Sequence, residues 1–174
     1  MEGREPLILT ATLPPDLQAW ATALRDRHFP PERNHLAAHV TLFHALPPSC
    51  AAELAGVLTR LTRQNPPPHA HLQGIMSLGR GTALALASPA MLALRDEIAE
   101  HFHGNLSAQD GHRPRLHITV QNKVSPAEAK ALQAELAPAV APRHFAFRGF
   151  SLFRYMGGPW DHVRDWSFRG PKRG

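Results

Sequence analysis

The sequence of 174 residues predicts an α+β fold of two similar lobes, in which two antiparallel sheets face a central cleft and the helices lie outside. Three observations lead to this prediction. Short blocks with strand and helix periodicity alternate along the chain, 17 prolines separate many of these blocks, and a His-x-Thr pattern occurs twice, 78 residues apart. With 43% hydrophobic residues, the chain can bury a core as a single domain over 1–174.

The first half begins with a strand and a helix. LILTATL at 7–13 is rich in β-formers, and residues 14–29 open with proline and aspartate before apolar residues at helical spacing. A second strand is predicted at 37–46, within AAHVTLFHAL, and a second helix at 49–64, beginning at a serine. Two strands around a glycine turn follow, over 70–80 and 81–88.

The second half continues with the same kinds of block. A helix, a strand, a second helix with a serine cap and a terminal hairpin around Gly-Gly-Pro are predicted over 89–106, 113–124, 125–140 and 144–168. The order of elements thus resembles that of the first half.

The two halves align at an offset of 78 residues without a gap. His39 falls on His117 and Thr41 on Thr119, and five further pairs coincide: Trp20 with Ile98, Leu24 with Phe102, Pro48 with Pro126, Leu54 with Leu132 and Leu58 with Leu136. This match favours an internal duplication with pseudo-repeat halves at approximately 6–80 and 81–169.

Strand geometry predicts where the repeated polar residues point. Side chains alternate between the two faces of a strand, so His39 and Thr41 share one face, and His117 and Thr119 share the equivalent face of their own strand. If the lobes turn these faces toward each other, two histidines and two threonines meet in one cleft. The same alternation makes three further residues candidate substrate contacts: Phe43, Gln121 and Lys123.

Two opposed imidazoles suit general acid and base catalysis. Histidine has an ordinary pKa of about 6.5, so one ring can remove a proton from an attacking oxygen while the other protonates the leaving oxygen. The threonine hydroxyls can donate hydrogen bonds to the non-bridging oxygens of a phosphate between them. In-line attack at phosphorus needs this arrangement, because the nucleophile and the leaving group lie on opposite sides.

The pair HVTL and HITV, their spacing and the duplicated halves resemble the 2H phosphoesterases, in particular the bacterial 2′-5′ RNA ligase-like proteins. The resemblance covers nearly the whole chain and implies metal-independent chemistry without a cofactor, on RNA or nucleotides with 2′,3′-cyclic phosphates or 2′-5′ links. Its motif maps onto His39, Thr41, His117 and Thr119, and departs from the common pattern only at Val120, where leucine is frequent. The resemblance favours a 2′-phosphate product. The two motifs are nearly equivalent and leave open which histidine is the acid and which the base; we expect His117 as the base and His39 as the acid.

The terminal hairpin offers two weaker candidates for the cleft, Arg154 and Tyr155, and alternation alone leaves open which of them faces it. No carboxylate or cysteine completes a metal site around the paired histidines near 70 and 102, so no metal is expected. The single cysteine, Cys50, is expected to be a small buried residue.

The composition favours an anionic partner and argues against a membrane. The formal net charge is +5, and no apolar run approaches the roughly 20 residues needed to cross a bilayer. We therefore expect a cytoplasmic monomer acting on RNA or nucleotides. A non-catalytic RNA-binding module is the alternative, although such a module would not need two symmetric His-x-Thr pairs.

Overall fold

A computed structural model describes residues 4–172, which form two four-stranded antiparallel sheets and four α-helices. The elements follow in the order β1 (Leu7–Thr12), α1 (Pro15–His28), β2 (Val40–Leu46), α2 (Ala51–Gln64), β3 (His69–Ser77), β4 (Thr82–Ala87), α3 (Pro89–His101), β5 (His117–Gln121), α4 (Pro126–Leu136), β6 (Arg143–Ala146), β7 (Gly149–Tyr155) and β8 (Trp160–Ser167). Short 3-10 turns at Pro31–Arg33 and Pro48–Cys50 precede β2 and α2. The predicted α+β class is confirmed.

Local sequence explains where two of the helices begin. Ser88 caps α3 by accepting a hydrogen bond from the backbone N–H of Met91 at 3.2 Å. Ser125 caps α4, where its hydroxyl accepts from the N–H of Glu128 and donates to Glu128 Oε1, both at 3.1 Å. The pair occupies the positions of the capping box that the sequence predicts, and the serine hydroxyl satisfies one N–H donor of the first helical turn. The Glu128 carboxylate accepts from this hydroxyl.

Each sheet takes strands from both halves of the sequence. One sheet has the order β2-β1-β7-β8 and the other β5-β4-β3-β6, so β3 of the first half joins the second sheet and β7 and β8 of the second half join the first. The predicted terminal hairpin therefore holds only for β7 and β8, because β6 pairs with β3 in the other sheet. The lobes do not coincide with 6–80 and 81–169, and the duplication itself stays a prediction.

The ungapped offset of 78 residues does not hold for the first strand of each half. Ala11 lies opposite Val40, whereas Leu84 lies opposite Ile118. Val40 and Ile118 obey the offset, but Ala11 and Leu84 do not. The second half therefore has more residues between its first strand and its motif strand.

The helices show the same discrepancy. Trp20 is 37% exposed while its expected counterpart Ile98 is fully buried, so these two positions are not equivalent. The better match is the tetrapeptide ALRD, which occurs in α1 at 23–26 and in α3 at 93–96. Its leucines and arginines are buried in both helices. The connection from α3 to β5 is longer than the connection from α1 to β2, which accounts for the different spacing between ALRD and the His-x-Thr motif in the two halves.

The core lies between the sheets and the helices. It includes Leu9 and Leu42 from the strands and Leu54 and Leu58 from α2, all fully buried, and Cys50 is buried beside them as predicted. Within residues 4–172, no helix is both long and apolar enough to cross a membrane.

Candidate active site

The two motif strands are edge strands, and they contact each other where the sheets meet. β2 ends one sheet and β5 ends the other. His39 immediately precedes β2 and Thr41 lies within it, whereas His117 and Thr119 both lie within β5. All four side chains are partly exposed, while Val40 and Ile118 between them are fully buried. The strands therefore present the repeated polar residues on one face, as alternation predicts.

Both catalytic candidates are held by the same local hydrogen bond. The Nδ1 atom of His39 lies 2.8 Å from the carbonyl oxygen of Ala37, and Nδ1 of His117 lies 2.6 Å from that of Arg115. A carbonyl can only accept, so Nδ1 must carry the proton in each ring. This arrangement fixes the tautomer and leaves Nε2 as the atom that can exchange a proton with a substrate.

The surroundings of His39 favour its neutral form. Burial lowers the pKa of His39 to about 4, and the positive charges of Arg25 and His117 act in the same direction. The hydrogen bond to Ala37 opposes the shift, because the carbonyl stabilises the protonated ring. The ring of Trp160 packs against His39 with 4.5 Å between ring centroids, which explains part of the burial. His117 is thus close enough to His39 for its charge to affect the pKa of that ring.

The two threonines have different neighbours. Thr41 lies opposite Thr10, and Thr10 lies opposite Ser151 on the next strand, so a polar row crosses the first sheet. In the second sheet, Thr119 lies opposite Ala83. Among residues 4–172, neither motif threonine makes a side-chain hydrogen bond, and both are partly exposed. Both hydroxyls can therefore donate to a bound anion.

A pocket of about 310 Å³ lies beside His39. Phe153 and Trp160 from the terminal hairpin form an aromatic wall, and Ser151 and Thr12 contribute hydroxyls. The Ser151 hydroxyl donates to Asp165 at 2.6 Å and lies 3.0 Å from that of Thr12. The pocket thus combines a flat apolar surface with polar groups next to a candidate catalytic ring.

Neither Phe43 nor Gln121 presents its side chain to the cleft in the way that alternation predicted. Phe43 is fully buried in the core, and Gln121 is only 7% exposed, with its side-chain oxygen accepting a hydrogen bond from Thr82 at 3.0 Å. The cause is a β-bulge in each motif strand, at Leu42 and Val120, directly after the threonine. A bulge adds one residue to the strand and reverses the alternation beyond it, so the next residues turn into the protein.

The three remaining candidate substrate contacts lie in different places relative to the pocket. Arg154 lies opposite Leu7, on the face away from the pocket, so of the two candidates that alternation left open it is not the one on the pocket side. Tyr155 is exposed and lies opposite Trp160, so it belongs to the pocket side at the outer end of β7. Lys123 lies beyond the end of β5 in a left-handed turn with φ of 59°, and it lines a separate groove rather than the cleft.

Two buried arginines support the motif strands, and the sequence interpretation missed both. Arg25 of α1 donates from its NH1 group to the carbonyl oxygen of Thr119 at 3.1 Å, and Arg95 of α3 donates from Nε to that of Leu42 at 3.2 Å. Edge strands and bulges leave carbonyls without a ladder partner, and these guanidinium groups supply one. The repeated ALRD tetrapeptide was the signal that could have revealed them.

A buried carboxylate anchors the other side of β2. Asp110 is 1% exposed, and it accepts hydrogen bonds from the backbone N–H groups of His44 and Ala45 at 2.7 and 2.8 Å. Burial raises the pKa of Asp110, but hydrogen bonds from the side chain and backbone of His44 and from Ala45 outweigh it and hold the pKa below its usual value. Within the described part of the chain, no group of three or more His, Cys, Asp or Glu side chains is arranged to hold a metal ion.

Comparison of the coordinates with solved structures reveals the same fold in several proteins. TT0787 of Thermus thermophilus matches with a TM-score of 0.66 at 20% identity, covering 96% of this chain and all of that one. Escherichia coli LigT complexed with 3′-AMP matches with a TM-score of 0.62 at 20% identity, covering 94% and 98% of the two chains. A protein described as a phosphoesterase matches with a TM-score of 0.60 at 19% identity, covering 95% and 99%.

Sequence comparison is consistent with this likeness. No curated protein matches the sequence. The family model of the 2′-5′ RNA ligase superfamily, however, matches residues 13–159, a span that includes both His-x-Thr pairs and most of the terminal hairpin. Because that span is most of the chain, the protein belongs to the 2′-5′ RNA ligase superfamily.

Proposed function

We propose that the protein is a phosphoesterase that opens 2′,3′-cyclic phosphates on RNA ends or nucleotides to 2′-phosphates. The same site would make a 2′-5′ phosphodiester link when a ribose 5′-hydroxyl attacks the cyclic phosphate in place of water. It would cleave such a link in the reverse direction, in which the 3′-hydroxyl attacks phosphorus and the 5′ oxygen leaves. The observation that carries this proposal is the matched pair of histidines. Each ring is fixed through Nδ1 to a carbonyl two residues earlier, which leaves Nε2 available, and each histidine shares a strand face with a partly exposed threonine two residues later.

The low pKa of His39 changes the roles that the sequence suggests. A ring with a pKa of about 4 is neutral near pH 7 and can accept a proton, whereas it is poorly suited to start the reaction as an acid. We therefore assign the base to His39 and the acid to His117. This assignment reverses the expectation from the sequence, in which the two motifs are nearly equivalent.

The reaction then balances in a single displacement at phosphorus. His39 Nε2 takes a proton from water as the water oxygen bonds to phosphorus, and the bond from phosphorus to the 3′ oxygen breaks. His117 delivers its Nε2 proton to that leaving oxygen, which gives a 2′-phosphate and a free 3′-hydroxyl. Thr41 and Thr119 donate hydrogen bonds to the non-bridging oxygens, whose negative charge increases in the transition state.

The anionic substrate fits the charge of the chain and the nature of the site. The formal net charge is +5, and the pocket beside His39 has an aromatic wall on which a base can stack. Structures of the related LigT hold 3′-AMP, ATP and phosphate, which supports a nucleotide or RNA as the ligand here. We further propose that one chain suffices, because both histidines come from the same molecule.

A product assay tests the proposal directly. Purified protein is incubated with the four nucleoside 2′,3′-cyclic phosphates and with 2′-5′ linked dinucleotides, and products are identified by ³¹P NMR and chromatography. We expect nucleoside 2′-phosphates from the cyclic substrates. His39→Ala and His117→Ala should each lower turnover by at least about 10²-fold, since each removes a proton-transfer group.

A matched control separates catalysis from general damage. His112→Ala removes an exposed histidine outside the site, and it should keep wild-type turnover. If the His39 and His117 variants retained wild-type turnover, the two-histidine mechanism would be wrong. If the wild type bound RNA but turned over no substrate in the panel, the chain would be a binding module instead.

A further inference from the structure

A basic groove lies on the far side of the connection that leads to His39. It has a volume of about 420 Å³ and is formed by the end of α1, the 3-10 turn at Pro31–Arg33 and the turns before β4 and α4. Its lining includes four positively charged side chains and two carboxylates. The cations are Arg27, Arg33, Arg80 and Lys123, and the carboxylates are Glu32 and Glu128. The groove is therefore net positive.

Most of the donors on these cations are available. Arg33 uses one NH1 donor on the carbonyl oxygen of Lys123 at 3.0 Å, and Arg80 uses Nε on that of Val124 at 3.1 Å. A guanidinium has five N–H donors, so each arginine keeps several for a ligand. Within residues 4–172, none of the four cations forms an ion pair with a carboxylate, whereas Glu128 is occupied by the Ser125 hydroxyl.

The groove is close to the candidate active site along the chain. The segment that carries Arg33 continues to His35 and Ala37, which line the pocket beside His39. Arg33 is six positions before His39 in the chain, so their Cα atoms lie at most about 22 Å apart even if the segment were fully extended. At about 3.4 Å of rise per stacked nucleotide, roughly six nucleotides or fewer span that distance.

From this arrangement we infer that the groove binds backbone phosphates of an RNA strand whose 3′ end lies at His39 and His117. The inference rests on the proposed function, and it assigns a binding site to the part of an RNA substrate that lies upstream of the reacting phosphate. A strand that ends in a 2′,3′-cyclic phosphate continues only in the 5′ direction, so the phosphates in the groove are upstream ones. Guanidinium groups suit them, because they pair with phosphate oxygens through two parallel hydrogen bonds.

The test compares a short and a long substrate. Cytidine 2′,3′-cyclic phosphate reaches only the histidines, whereas an eight-nucleotide RNA with the same terminal group also reaches the groove. Arg27→Gln combined with Arg80→Gln should raise KM for the long substrate about three- to tenfold, as expected for two exposed charge contacts. Kinetic constants for the short substrate should change by less than about twofold.

Two control pairs make the result specific. Arg60→Gln with Arg63→Gln removes the same charge from exposed positions on α2, and it should leave KM for the long substrate nearly unchanged. Arg27→Lys with Arg80→Lys keeps the charge and should restore most of the affinity. The variant that combines Arg27→Gln with Arg80→Gln, called the groove pair, should also have a less steep plot of log affinity against log salt concentration. The slope should decrease by about 0.7 for each phosphate that the groove no longer neutralises.

A binding measurement separates this inference from the proposed function. Fluorescence anisotropy of the same RNA ending in a 3′-phosphate reports the groove without turnover. If the wild type hydrolyses neither substrate, the proposed function fails while this arm still measures the groove. Equal effects of the groove and control pairs, or equal losses on both substrates, overturn the inference. Competition by ATP that disappears in the groove pair would assign the groove to free nucleotides and overturn it as well.

Discussion

Replacing Trp160 should change the pH at which the enzyme loses activity in acid. Burial lowers the pKa of His39 from an ordinary 6.5 to about 4, and the indole ring of Trp160 lies 4.5 Å from the imidazole, centroid to centroid. At pH 7, a group with that pKa is protonated in only about one molecule in 10³. The ring that we propose as the base is therefore unprotonated throughout the neutral range.

The substitution Trp160→Ala admits water to one side of the His39 ring. Because burial is the largest cause of the shift, we expect the pKa of His39 to rise by about one unit. Trp160→Phe keeps an aromatic ring over the imidazole, and it should move the pKa by less than half as much. The positive charges of Arg25 and His117 remain in both variants, so the pKa should stay below the ordinary value.

Two assays measure this effect. The first is kcat/KM for cytidine 2′,3′-cyclic phosphate against pH, which reports the free enzyme. Its acid limb falls where His39 gains a proton, so the midpoint should be near 4 in the wild type and about one unit higher in Trp160→Ala. The second is NMR titration of the His39 ring, assigned by the signal missing in His39→Gln, which separates pKa from substrate binding.

Two results would refute this reasoning. A wild-type His39 that titrates near 6.5 would mean that the ring is not desolvated. An acid limb that stays in place in Trp160→Ala, while the NMR pKa of His39 moves, would mean that another group serves as the base.

Three further predictions concern the hydroxyls, the buried carboxylate and metal dependence. Thr41→Val and Thr119→Val should each lower kcat by about 10²-fold if the hydroxyls stabilise charge on phosphate oxygens, with Thr→Ser at the same positions as controls; wild-type rates in the valine variants would contradict this role. Asp110→Ala removes the charged acceptor of two partly buried backbone N–H groups, so urea denaturation should show about 2–5 kcal/mol less free energy of unfolding, and a loss below about 1 kcal/mol would contradict this anchoring role. Because the folded pKa of Asp110 is lowered, its stabilisation should be present above about pH 4 and lost as the pH falls through the folded value, whereas the Asp110→Ala variant should lack that part of the acid sensitivity. Turnover of cyclic phosphates should persist in EDTA, since imidazoles and hydroxyls supply the proton transfers and charge stabilisation; loss in EDTA that a divalent ion restores would disprove this.

Much of the fold could be predicted from local sequence. The helix starts at Ser88 and Ser125 depend on caps a few residues long, and strand alternation correctly placed His39 and Thr41 on one face. These features follow from interactions between near neighbours in the chain. The repeated His-x-Thr pairs also indicated the family, because each pair is a short pattern on one strand.

The residues after each threonine could not be placed in this way. The bulges at Leu42 and Val120 arise from pairing with β1 and β4, so the faces of Phe43 and Gln121 depend on partner strands far away in sequence. The placement of β7 beside β1 is likewise decided by long-range hydrogen bonds, whereas β3 joins its sheet through the local hairpin with β4. Alternation alone carries no information about either event.

The sequence by itself was therefore enough to predict three features: the strand face that carries the His-x-Thr residues, the starts of the capped helices and the superfamily. Only the tertiary structure decided how the two equivalent histidines differ. Trp160 and Arg25 approach His39 from distant parts of the chain, and the burial and charge that they bring lower its pKa through space. Desolvation and Coulomb interactions depend on distance in the folded molecule and not on sequence separation, so a symmetric pair of motifs becomes an asymmetric pair of groups.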